Sequence, residues 1–251
     1  ATGEKPSHPE LLDYLAVRLV ELDWSVKDLI REITASRTYR MAATFDAADY
    51  EKDPDNRNLW RFHPRRLDAE SLRDAILAVS GQLDRTRPDG SIVAEVGTGF
   101  IGRNLQESSF EKETSHRSVY LPILRGAVPE SLALFDFSDP SLTSGKREIT
   151  TVPSQSLYLM NSPFLLNAAD QFSRLLYTQL GLRCPALSRE AFSRAFSRLP
   201  TEAEALETKS FIDRFLAAAQ SQGMSREEAG MLALSGFCQS LLSSAEFRYL
   251  N

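Results

Sequence analysis

The sequence predicts a mainly α-helical, bundle-like domain with a small β hairpin or sheet and a long glycine-rich loop in its middle. Three observations carry this. Ser/Thr-x-x-Asp/Glu capping patterns stand ahead of apolar runs in both the first and the last third. Pro163, directly after Asn161-Ser162, opens a further helix through about Leu180. Residues 84 to 116, by contrast, carry Gly90, Gly97, Gly99 and Gly102 with no sustained period.

Taken in order, Ser7 to Glu10 matches a capping box with Pro9 in the first turn, and Leu11, Leu15, Leu19 and Leu22 make a stripe for burial. Ser25 to Asp28 forms a weaker cap ahead of Leu29, Ile30 and Ile33, which predicts a helical hairpin. Asp53-Pro54-Asp55 reads as a turn. Asp68 caps a helix whose Leu72, Ile76, Val79 and Leu83 recur at helical spacing, and Gly81 is placed to end it. Arg117 to Leu124 is the best strand, with Ser91 to Val96 as its partner. In the last third, Thr201 to Glu204 and Ser225 to Glu228 fit capping boxes. The first run is expected to bury Leu206, Phe211, Ile212, Phe215 and Leu216, the second Leu232, Leu234, Phe237, Leu241 and Leu242.

With 251 residues, 42% of them hydrophobic, the chain is long enough to bury a core without disulfides or metal. The organisation expected is one globular unit over 1–251, with a helical part at 1–83, loop and short strands at 84–124 and a second helical part at 125–251. A net charge of -5 gives no overall pull toward nucleic acid. No apolar run approaches the roughly 20 residues of a membrane helix. Cys184 and Cys238 stand alone, with no Cys-x-x-Cys-His haem attachment site, and free buried thiols are favoured over a disulfide.

Several motifs invite chemistry and fail on context. Gly97-Thr98-Gly99-Phe100-Ile101-Gly102 matches a dinucleotide fingerprint, but no parallel β-α-β series surrounds it. His8, His63 and His116 have no second His or Cys at helical spacing, so no metal or other cofactor is expected. Gly-x-Ser-x-Gly is absent. Asp136 and Asp139, like Asp46, Asp49, Asp53 and Asp55, are read as capping or ion-pairing residues in preference to a hydrolytic pair, with Arg117, Arg125 or Arg147 as partners of Asp136. The best ligand-binding candidates are Arg57, Trp60, Arg61, His63, Arg65 and Arg66, near Tyr39 and Phe62. Arginines offer bidentate donors to oxyanions, and flat rings stack on guanidinium groups or sugar faces. The competing reading is an internal brace of those arginines onto Asp68, Glu70 and Asp74.

Long, dispersed segments carry a family likeness: Ser7-His8-Pro9-Glu10-Leu11-Leu12-Asp13, Trp24 to Ile30, Ser36 to Arg40, Asp53 to Arg57 running on through Arg65-Arg66-Leu67-Asp68-Ala69-Glu70, and Asp74 to Gly81. The likeness resumes at Arg117 to Tyr120, Phe135 to Asp139, Thr150 to Leu157 and Leu241 to Phe247. These segments resemble the planctomycete-type domain of unknown function 1553, found at the C-terminal end of large proteins that often carry a cytochrome c-like domain. Members usually continue upstream with a segment rich in Asn, Arg, Gly and Asp, so the chain, which begins at Ala1, reads as part of a longer protein.

The family supplies no catalytic residues to carry over, and the residues themselves assign no enzyme activity. The resemblance implies a non-haem accessory domain that binds or docks other domains of its parent in an extracytoplasmic setting, with polysaccharide as a further candidate partner. The rival expectation is a hydrolase-like cleft built from His116, Arg117, Arg125, Asp136, Asp139 and Arg147.

Overall fold

Helix starts in this chain are set by side chains that accept the first free backbone N–H groups. The computed structural model describes residues 5–90, 114–123, 128–143 and 147–250, with Cys184 through its backbone only. It divides into two compact units, Ala1–Arg65 with Leu250–Asn251, and Arg66–Tyr249. The fold is mainly α, with eleven α-helices among the described residues. One two-stranded sheet joins β1 (Arg65–Arg66) to β2 (Tyr249–Leu250).

The smaller unit holds α1 (Pro9–Glu21), α2 (Val26–Ala35) and α3 (Ala47–Lys52). The expected Ser7–Glu10 box does not form. His8 occupies the cap position without a side-chain bond to the helix, and the Ser7 hydroxyl lies 3.0 Å from His8 Nδ1 instead. Pro9 still suits the first turn, where its missing N–H would have no partner. Ser25 does cap α2, accepting from the Asp28 N–H at 3.4 Å. Arg18 ties the hairpin together through Glu32 at 3.0 Å. The expected stripe is only half sunk: Leu15, Leu19 and Leu22 are half-buried, and Leu11 is exposed. A two-helix hairpin offers each helix one neighbour, which covers a seam and no more.

The larger unit begins with α4 (Ala69–Val79), capped as expected by Asp68, whose carboxylate accepts from the Ser71 N–H at 2.8 Å. Gly81 follows with a φ of +77°, and a Cβ there would stand 2.9 Å from Leu175. The short α5 (Glu130–Ala133) and α6 (Pro153–Asn161) precede α7 (Pro163–Leu180), which opens at the predicted Pro163 and is capped by Ser162. Then come α8 (Cys184–Phe196), α9 (Glu202–Ser221), α10 (Arg226–Ser243) and α11 (Ala245–Arg248). Both predicted capping boxes are present, at Thr201 with Glu204 and at Ser225 with Glu228.

The core of this unit forms where α7 and α10 pack, with α4 and α8 against α7. Leu72, Ile76, Leu165, Phe172, Leu176 and Leu234 are almost fully enclosed there. Cys238 is buried among them as a free thiol, and burial pushes its ionisation well up.

Three expected core positions face outward. On α9 the buried residues are Thr208, Ile212 and Ala219, spaced to share one face, while Leu206 and Phe211 are exposed and Phe215 and Leu216 half-buried. On α10, Leu232 is exposed although Leu234, Phe237, Leu241 and Leu242 are buried.

The described part of the expected strand, Arg117 to Ile123, is not a strand, and Leu124 lies outside the described residues. Ser118–Tyr120 is a 3-10 turn, and the segment's polar groups are taken by α4. Ser118 donates both its N–H and its hydroxyl to Asp74, each at 2.7 Å, and Arg73 donates to the Thr114 and His116 carbonyls. A ladder partner would have needed those same groups. Ser91 to Val96 and Gly97 to Gly102 lie outside the described residues.

The most buried salt bridge among the described residues is Arg66 with Asp136, 2.5 Å apart with side chains 3% and 15% exposed. This corrects the expected partners of Asp136: Arg117 lies 3.6 Å from Asp74, Arg147 pairs with Glu70 at 2.5 Å, and Arg125 is outside the described residues. Arg66 also donates to the carbonyls of Thr150 and Phe135 and to Gln155 Oε1. Asp136 accepts from the Thr150 N–H at 2.9 Å and hydroxyl at 2.7 Å. Burial alone would raise the Asp136 carboxyl, but the Thr150 donors and Arg66 outweigh it and hold the group below the usual range.

Elsewhere in the unit, Arg198 joins Glu204 at 2.8 Å to Glu246 at 2.6 Å and lies over the rings of Phe192 and Phe196. The Arg198 hydrogen bond, with the Thr201 donors, lowers the Glu204 carboxyl from 4.5 to about 2.

Arg66→Ala should therefore destabilise the protein by roughly 3–5 kcal/mol in denaturant melts, because it strands Asp136 as a largely buried charge. Arg65→Ala should change stability by less than about 0.5 kcal/mol, since Arg65 is exposed and, among the described residues, its side chain reaches the Tyr39 hydroxyl at a long 3.4 Å. A carboxyl depressed by folding contributes stability above its ordinary value and loses it as pH falls through the folded value. The melting temperature should accordingly drop between pH 4.5 and about 2, and Glu204→Gln, less stable at neutral pH, should drop less across that window.

Candidate functional site

The polar turn at residues 53–61 of the smaller unit is built by two short side chains. Asp53 accepts the N–H groups of Asn58 at 2.7 Å and Arg57 at 2.9 Å. Those two bonds, Asn58 first, hold its carboxyl below the usual range. Asn56 sits at a φ of +53°, a conformation Asn tolerates better than most residues. Its side chain closes on the Arg61 backbone in both senses, accepting from the N–H at 3.3 Å and donating to the carbonyl at 2.9 Å. The Trp60 indole N–H donates to the Asp53 carbonyl at 2.9 Å. Backbone and ring are thus fixed before any ligand arrives.

On this frame the Arg61 guanidinium lies 4.9 Å from the Trp60 ring centre and 5.4 Å from that of Phe45. Phe45 meets Tyr50 at 5.3 Å and Trp60 at 6.3 Å. Asp46 sets Tyr50 in place by capping α3 through the Ala48 and Asp49 N–H groups. Phe62 meets Tyr39 edge-on at 6.0 Å. The segment therefore combines cation–π stacking with exposed ring surface.

Of the six binding candidates, Arg57, Trp60, Arg61, His63 and Arg65 belong to this unit. Arg57, His63 and Arg65 are exposed, whereas Trp60 and Arg61 are half-buried. Arg66 parts from them and enters the clasp with Asp136. The expected brace of these arginines onto neighbouring carboxylates takes other partners: Asp68 caps α4, Glu70 holds Arg147, and Asp74 holds Ser118.

The alternative set is distributed among separate partners. His116 Nδ1 lies 3.4 Å from Asp84 Oδ2, where the two residues form an isolated bridge. Asp139 accepts from the Ser141 N–H at 2.7 Å in its own turn. Arg147 pairs with Glu70 and lies 5.2 Å from the Phe137 ring. Asp136 belongs to Arg66 and Thr150.

Sequence reasoning missed two features. Phe45 and Tyr50 complete the aromatic corner, and their signal was Asp46, a cap between two aromatics. A groove of about 470 Å³ runs along α9 and α10, lined by Phe192, Glu204, Thr208, Phe211, Phe237 and Leu241. Among the described residues, no cluster of His, Cys, Asp or Glu is arranged to hold a metal, and no helix is long and apolar enough to cross a membrane.

Comparison with curated proteins and with solved structures gives no match to either. The model of one family does match, over residues 1–212. The chain belongs to the PSD1 family, proteins of unknown function grouped as DUF1553.

Proposed function

We propose that this chain is a non-catalytic docking domain of a longer protein, with the α1–α2 hairpin as the surface that meets another domain of the parent. The observation that carries the reading is the distribution of apolar side chains on α1. Leu15, Leu19 and Leu22 form the hairpin seam, yet Leu12, Val17 and Val20 lie outside it and are each more than half exposed. Trp24 in the connection and Val26 and Ile30 on α2 are more than half exposed as well. A helix that is apolar beyond its seam is suited to being covered on a second side, and soluble surfaces rarely leave such area open.

The chemistry of the polar residues supports the same reading. Asp136, Arg147, Asp74 and Glu204 are each engaged in an ion pair or a hydrogen bond within the fold. A hydrolase needs carboxylates that face a substrate. The setting we propose, extracytoplasmic and beside a cytochrome c-like domain, follows from the family resemblance.

Cross-linking of the intact parent protein tests the docking face, with the exposed Lys27 on α2 as reporter. Lys27 should link to residues outside this chain, and a Val17→Ser, Val20→Ser, Ile30→Ser variant should lose those links while keeping its helical circular dichroism. Links from Lys27 confined to this chain, in a parent whose other domains are folded, would overturn the reading.

A further inference from the structure

We infer that Arg61 is an oxyanion-binding residue, taking a carboxylate, sulfate or phosphate group whose attached body lies on the neighbouring rings of Phe45 and Tyr50. The inference stands apart from the docking reading, since it concerns a different segment of the smaller unit.

The two short side chains that build the turn are both engaged. The Asp53 carboxylate holds two backbone N–H groups, and Asn56 holds the Arg61 backbone. The Arg61 guanidinium has no carboxylate partner among the described residues, and its Nε is shielded from solvent without an acceptor. A half-buried cation left unpaired costs free energy that ring faces offset only in part. An arriving oxyanion would complete it, because the guanidinium presents paired N–H donors in a planar fork.

Position is fixed in advance as well. The backbone of Arg61 is tied at both its N–H and its carbonyl, and the Trp60 ring beneath it is tied through its indole N–H. Ligand binding therefore has little ordering to do at the backbone. Phe45 and Tyr50, 56% and 44% exposed, leave apolar ring surface beside the charge. That juxtaposition suits a ligand with an anionic group on a flat or apolar body better than a bare ion.

Fluorescence titration in a Trp24→Phe background, where Trp60 is the one remaining tryptophan, tests this directly. The probes are sulfate, phosphate, acetate and benzoate at constant ionic strength, with chloride as the reference. At least one oxyanion should give a saturable change, with a dissociation constant of about 1 mM, and benzoate should bind more tightly than acetate. Arg61→Gln should abolish the change and Arg61→Lys should weaken it about tenfold. Val17→Ser, on the docking face, should leave it intact.

A response that is absent for all four oxyanions, that chloride reproduces, or that survives in Arg61→Gln would overturn the inference. The first two outcomes are read on a protein that keeps Arg61, so they hold even if Arg61→Gln fails to fold.

Discussion

The larger unit depends on one buried pair, Arg66 with Asp136. Neither charge would be tolerated there alone, and each has further partners, the Phe135 and Thr150 carbonyls and Gln155 for the arginine and the Thr150 donors for the aspartate, although Arg66 Nε is buried without an acceptor among the described residues. Through it, Arg66 gathers the Phe135 carbonyl, the Asp136 carboxylate, the Thr150 carbonyl and the Gln155 amide into one place. Asp136 itself adopts a φ of +65°, a strained setting for a residue with a Cβ, which its three bonds maintain.

α4 extends the same device along its length. Its apolar face, Leu72, Ile76 and Leu77, enters the core, while Glu70, Arg73 and Asp74 grip Arg147 and the 114–118 segment. One helix thus carries two kinds of information, one for the core and one for the irregular chain that lies over it. Stretches with little secondary structure are held by side chains where a sheet would have used its own backbone.

What was legible in the sequence follows from how local each signal is. Caps at Asp68, Thr201 and Ser225 depend on the next three residues and were read correctly, as was the helix start at Pro163. The Ser7 box failed because His8 sat one place nearer and drew the serine hydroxyl to itself. The strand expected from Arg117 failed over its described residues because Asp74 and Arg73, more than forty positions away, claim the Ser118 N–H and hydroxyl. Arg66 was grouped with Arg57, Arg61 and Arg65 by proximity in sequence, yet its partners are distant and only the fold separates it from them. The turn that orients Trp60 and Arg61 was legible as a turn, but the role of Asn56 in it rests on a left-handed backbone that composition does not announce.

The long reach of Arg66 has a temporal side. Its partners lie 69 to 89 residues further along the chain. During synthesis, which proceeds from the N-terminus, the α1–α2 hairpin and the 53–61 turn can form from contiguous residues while Arg66 still waits for Asp136 and Thr150 to emerge. The order of birth therefore separates two kinds of contact: the hairpin and the turn can mature locally, whereas Arg66 must close a wide loop before its charge is satisfied.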